Sequence, residues 1–121
     1  MKKSSFVFAA LLTWGVSAMA QTMAFPDGAA PLTPEALREA LSGKVFAVSP
    51  AKGPVWRWQF DADSLFSIKI GNYSDSGKWS TKDSSICQET PKNSGCNEIR
   101  GKDNVLYLKR DNGEVVALKA P

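Results

Sequence analysis

The chain has 121 residues, 43% of them hydrophobic, with 15 basic and 12 acidic side chains and no histidine. That length is expected to hold one domain with one core. Without an imidazole there is no Ser-His-Asp triad, no Cys-His dyad and no histidine-ligated metal, and a small positive charge on scattered lysines is no footprint for nucleic acid.

The first twenty residues, MKKSSFVFAALLTWGVSAMA, read as a secretory signal peptide. Lys2 and Lys3 give a positive start. Phe6 to Val16 is an apolar run too short to cross a bilayer, which needs about 20 residues. Ala18-Met19-Ala20 supplies the small residues that signal peptidase requires, so the cut is expected before Gln21. No cysteine follows the apolar run, so the mature chain is expected to carry no lipid or membrane anchor. Loss of Lys2 and Lys3 leaves 13 basic against 12 acidic residues, close to neutrality. The expected location is periplasmic or secreted, in a bacterium.

Residues 21–32, QTMAFPDGAAPL, hold Pro26, Gly28 and Pro31 without periodicity and read as a flexible leader. Residues 33–121 then form the single domain. It opens on a helix: Thr33 is placed to cap the free amides, and Pro34 at the first helical position loses no hydrogen bond. Leu32 and Leu37 occupy hydrophobic-staple positions, Leu37, Ala40 and Leu41 make the apolar stripe, and Gly43 ends the helix in the left-handed conformation. Glu35 and Glu39 lie on the opposite, solvated side.

From Lys44 the hydrophobic period switches to two. Strands are expected at 44–49, 55–61, 65–71, 77–81, 84–89, 96–100, 104–110 and 114–119. Turn residues separate them: Pro50, Gly53 and Pro54; Asp61-Ala62-Asp63; Lys82-Asp83; Pro91 to Gly95; Gly101 to Asp103; and Asp111-Asn112-Gly113. Such short connections make a meander. The fold class is therefore mostly β, a small antiparallel up-and-down barrel of about eight strands with one short N-terminal α-helix. A half-open barrel or a two-sheet sandwich is the alternative.

Alternation assigns the faces. Trp56, Trp58 and Phe60 share one side of their strand, Phe66, Ile68 and Ile70 one side of the next, and Trp79, Ile86, Leu106, Leu108, Val116 and Leu118 join them inside. Cys87 and Cys96 fall on the outer face of one hairpin. Two thiols without histidine are too few for structural zinc, and C-x8-C is not a C-x-x-C redox site. In an oxidising compartment the pair is expected to form a disulfide.

No catalytic residue, metal ligand or cofactor site is recognised. Asp61, Asp63 and Asp111 look like turn residues bonded to their own backbone, and phosphate-binding glycine loops are missing. The better lead is aromatic: Trp56, Trp58, Trp79, Tyr73 and Tyr107 are candidates to line a ligand cavity, against the plainer reading that the tryptophans fill a small core.

Gly77-Lys78-Trp79, Cys87, Cys96 and the closing YLKRDNGEVV together resemble a group of small exported bacterial proteins of unknown function with a lipocalin-like (calycin-type) barrel. In lipocalins proper the G-x-W lies on the first strand, whereas Gly77 to Trp79 falls on the fourth expected here. A fainter resemblance is to periplasmic barrel inhibitors of proteases or lysozyme. The expectation is an exported, non-catalytic binding protein holding a small apolar ligand. The alternative partner is an envelope protein, with the chain acting as an interaction module or inhibitor.

Overall fold

The computed structural model describes residues 22–121. The expected signal peptide and its cleavage point lie outside the described residues.

A two-residue strand, β1 (Ala30–Pro31), precedes the helix α1 (Pro34–Leu41). Eight further strands follow: β2 (Lys44–Val48), β3 (Trp56–Phe60), β4 (Leu65–Ile70), β5 (Tyr73–Lys82), β6 (Ser85–Glu89), β7 (Ser94–Lys102), β8 (Val105–Lys109) and β9 (Val115–Leu118). Each of β2 to β9 pairs antiparallel with the next in chain order. The meander then meets itself. The Ala47 amide donates to the Lys119 carbonyl at 2.7 Å, and the Lys119 amide returns a bond to Ala47 at 3.1 Å. That reciprocal bridge makes a nearly closed barrel of eight strands and removes most of the open edge a sandwich would keep.

The helix forms where its caps place it. The Thr33 hydroxyl accepts from the Ala36 amide at 3.1 Å, and Gly43 takes φ +75° to turn the chain into β2. Leu37 and Leu41 are fully buried as α1 packs against β5 and β6. The Thr81 hydroxyl donates to the Pro34 carbonyl at 2.9 Å and the Arg38 guanidinium to the Ser64 hydroxyl at 2.9 Å. The helix therefore stands over one end of the barrel.

Two elements differ from expectation. β5 begins at Tyr73, four residues before the expected start, and β7 begins at Ser94 instead of Cys96. Serine, asparagine and aspartate favour turns when their side chains are free to bond locally. Here the ladder to β4 takes their backbone groups, with Ser74 opposite Lys69 and Ser76 opposite Ser67. The leader is also tied down. Ala30 and Pro31 pair with Gly101 and Arg100 of β7, and the Leu32 amide donates to the Ser84 hydroxyl at 2.9 Å. Phe25 lies under the Arg100 guanidinium, 4.7 Å from its ring centre. A charge over an aromatic face and a few backbone bonds outweigh the missing periodicity.

The core is a run of aromatic rings. Phe46 meets Phe60 at 6.1 Å between centres, Phe60 meets Trp58 at 4.9 Å and Trp79 at 5.3 Å. Ile86, Ile99, Leu108, Val116 and Leu118 complete it. On the outside, Cys87 stands directly opposite Cys96 in the β6–β7 register, and the two form a disulfide with Cα atoms 4.0 Å apart. Closing so short a loop stabilises the fold by roughly 2–3 kcal/mol on the chain-entropy model. The bridge also locks a register in which a one-residue slip would turn Ile86 and Ile99 outward.

Candidate functional site

The two ends of the barrel are built differently. At the helix end lie α1 and the short connections after β3, β5 and β7. The other end is a mouth ringed by residues 49–55, 71–72, 90–93 and 110–114. The half-buried apolar side chains packed on the core divide between them: Trp56 and Ile68 at the mouth, Leu32, Phe46 and Leu106 at the helix end.

The mouth holds a bowl of about 350 Å³. Trp58 and Leu108 are its floor, 2% and 3% exposed, while Trp56 and Ile68 form its accessible apolar wall. Polar groups converge above them. Gln88 accepts a hydrogen bond from the Trp58 indole at 2.9 Å. Asn97 donates to the Asp111 carboxylate at 2.9 Å and to the Lys109 carbonyl at 3.1 Å. Each follows from strand parity: Gln88 is two residues from Ile86, and Asn97 two from Ile99, so both point inward.

Trp56 is held in place by a chain of contacts. The Arg110 guanidinium lies over its indole, 4.9 Å from the ring centre, and covers one face. Arg110 in turn pairs with Glu114 at 2.5 Å. Glu114 is only 3% exposed, and its second oxygen accepts from the Ala51 amide at 2.9 Å. One buried carboxylate thus ties the 49–55 loop to the β8–β9 turn and fixes the cation over Trp56. The Ala51 hydrogen bond, then the bond and charge of Arg110, hold the Glu114 carboxyl below its ordinary range, against burial, which pushes it up.

A carboxyl depressed in the folded state stabilises fully above its unfolded value, about 4.3, and loses that contribution as pH falls through its folded value. Glu114→Gln is therefore expected to lower stability at pH 7. The gap to the wild type should narrow as acid protonates Glu114. Urea denaturation of both proteins at pH 7 and pH 3 measures it; a gap that stays constant or widens contradicts the assignment.

The five aromatic candidates do not form one site. Trp56 and Trp58 meet at the mouth, their ring centres 6.2 Å apart. Tyr73 is on the same rim, 56% exposed, and its hydroxyl donates to Asp75 at 3.0 Å. That bond, with slight desolvation and the carboxylate's charge, holds the phenol above its ordinary range. Trp79 lies at the helix end. Its indole donates to the Asp61 carbonyl at 3.0 Å, and Arg38 stacks on it 5.0 Å from the ring centre. Tyr107 alternates with Leu106 and Leu108 and stands on the outer face, opposite Arg100 and Ala117.

Sequence reading missed Gln88, Asn97, Arg110 and Glu114. Parity marks the first two as inward-facing polar residues. The link from Glu114 to Ala51 spans 63 positions and leaves no local signature. A second depression, about 570 Å³, opens at the helix end over Leu32, Phe46, Leu106 and Leu118, with Lys44 and Lys102 beside it. Among the described residues no group of three or more cysteines and carboxylates is placed to hold a metal ion, and no helix is long and apolar enough to cross a membrane. Comparison of the chain with known protein families, with characterised proteins and with solved structures finds no match.

Proposed function

We propose that this chain is an exported, non-catalytic binding protein that takes a small apolar, ring-containing ligand at the open mouth of its barrel. The observation that carries the reading is Trp56, whose indole is half-buried in a bowl and pinned from one side by Arg110. An aromatic wall fixed before a ligand arrives costs little ordering on binding. The volume lies at the lower end for small-molecule sites, and a few polar groups above an apolar floor are their usual composition. Export rests on the signal-like first twenty residues and agrees with the disulfide. The non-catalytic reading rests on the missing histidine and on mouth carboxylates that already serve as acceptors: Asp75 for Tyr73, Asp111 for Asn97.

The probe is N-phenyl-1-naphthylamine, a neutral two-ring-plus-phenyl fluorophore, titrated alongside smaller ring compounds. Saturable enhancement of its emission, reversed by one of the smaller rings, is the expected result. A flat response across the panel sinks the reading.

One observation favours a second reading, an envelope protein as partner. Val55 and Tyr73 are each 56% exposed at the mouth end, above a core filled with side chains. That is the apolar, aromatic edge a protein partner would cover. Pull-down from periplasmic extract, with lysozyme and protease inhibition assays, separates it from the first.

A further inference from the structure

The outer face of β3, β4 and β5 carries an arrangement that neither the core nor the mouth explains. The strand register places Arg57 directly opposite Lys69, and Lys69 directly opposite Ser74. One pleat along, Gln59 faces Ser67, which faces Ser76. Alternation with the buried Trp58, Phe60 and Phe66 points all six outward. Across the barrel seam, Ala47 joins Arg57 on one side to Lys119 on the other. A single row of side chains therefore reads Lys119, Ala47, Arg57, Lys69, Ser74, with three cations and no acid.

Like charges directly opposite one another on a sheet are destabilising. Adjacent strands lie about 4.8 Å apart, so the Arg57 and Lys69 backbones cannot separate. The ion pairs among the described residues are Arg100–Glu98 and Arg110–Glu114, and neither relieves this row. The ground beneath the two cations is a depression of about 500 Å³, bordered by Ser67, Ser74 and Ser76. Asp75 also borders it, but its carboxylate already accepts from the Tyr73 hydroxyl at 3.0 Å and the Ser76 amide at 2.9 Å.

We propose that this face is a binding site for a tetrahedral oxyanion of the phosphate class, held by Arg57 and Lys69 and hydrogen-bonded by the serine hydroxyls. Guanidinium presents two parallel N–H donors to phosphate oxygens, and an ammonium supplies a second point charge. The three hydroxyls supply donors on the remaining side. Occupancy would place a countercharge between Arg57 and Lys69, where the one carboxylate bordering the depression, Asp75, is turned to Tyr73 and the Ser76 amide. The site is on the outside of the barrel and stands independently of any ligand at the mouth.

The test is a titration with inorganic phosphate at constant ionic strength, read from the backbone amide resonances of Ser67, Ser74 and Ser76. Saturable shifts are expected in the wild type, weakened about tenfold or more in Arg57→Gln and in Lys69→Gln, and unchanged in Lys92→Gln, a loop cation away from the row. Both row variants should unfold at the same or a higher urea concentration than the wild type, since each removes a like-charge pair. A second arm measures co-sedimentation with phosphatidylglycerol vesicles against phosphatidylcholine vesicles. Binding to the anionic vesicles that falls in Lys69→Gln assigns the phosphate to a lipid headgroup; phosphate binding without vesicle binding assigns a free or soluble phosphate. Shifts that chloride reproduces, phosphate or vesicle binding that survives both substitutions, or no binding in either arm, overturns the proposal.

Discussion

Gly77→Ala is expected to cost about 3 kcal/mol or more, the far end of what adding a single methylene to a packed site does. A methyl group there would lie 2.0 Å from the Glu89 carbonyl oxygen, 2.9 Å from its carbon and 3.2 Å from the Phe66 ring. Two of those atoms are backbone of β6, and Phe66 is buried, so nothing nearby is free to move aside. The reason lies in the path of β5. Its residues Tyr73 to Lys78 pair with β4, and Lys78 to Lys82 pair with β6. Gly77 sits where the strand passes from one partner to the other, and the β6 backbone closes over it. Gly95→Ala is the control, because a methyl group there meets nothing within 4 Å. Urea denaturation followed by tryptophan fluorescence should show a large fall in midpoint for Gly77→Ala and little change for Gly95→Ala. Equal midpoints would contradict this geometry.

Trp79→Ala is expected to be comparably severe, about 3–5 kcal/mol, by opening a cavity beneath the helix. Trp79 is 2% exposed and makes three contacts at the helix end: Phe60 edge-to-face, Arg38 across its ring, and the Asp61 carbonyl through its indole N–H. Leu37 and Leu41 belong to the same buried cluster, on a helix that packs against β5, the strand that carries Trp79. Trp79→Phe keeps a ring in place but leaves the Asp61 carbonyl with only the longer bond from the Ser64 amide at 3.3 Å, a cost of about 1 kcal/mol. Differential unfolding of the three proteins measures both steps. A Trp79→Ala variant as stable as Trp79→Phe would mean that the helix does not depend on this ring.

These two residues also show which parts of the molecule are legible in the chain. The helix was readable because Thr33, Pro34 and Gly43 act locally, and the barrel because alternation in VWRWQF and LFSIKI is unbroken. The outward direction of the two cysteines followed from parity, and their pairing from the expected export and the want of other metal or redox partners. Parity also separates Tyr107 from Leu106 and Leu108, so its place on the outer face was readable even though it stood among the candidate lining residues. What could not be read involves distant partners. Nothing local tells that Gly77 meets the β6 backbone, that Trp79 belongs to the helix end and Trp56 to the mouth, or that Glu114 reaches Ala51. The start of β5 was hidden for a related reason. The run Tyr73-Ser74-Asp75-Ser76 has turn composition, and only the neighbouring strand makes it extended. The basic row on the outer face needs four strand registers at once, so single-strand alternation sees only isolated lysines and an arginine.

Glu114 and Arg110 give the mouth its character. A partly buried ion pair contributes little to stability beyond what an apolar pair would, yet here it fixes a cation on an indole and a loop on a turn. That arrangement holds Trp56 in one conformation, as the proposed ligand site requires. The most direct test is the affinity of the wild type for N-phenyl-1-naphthylamine beside those of Trp56→Ala and Trp79→Phe. If the ligand is held at the mouth, Trp56→Ala weakens binding by about tenfold, while Trp79→Phe, at the opposite end of the barrel, leaves it unchanged. Equal affinity in the wild type and Trp56→Ala would contradict the account and move the ligand away from the mouth.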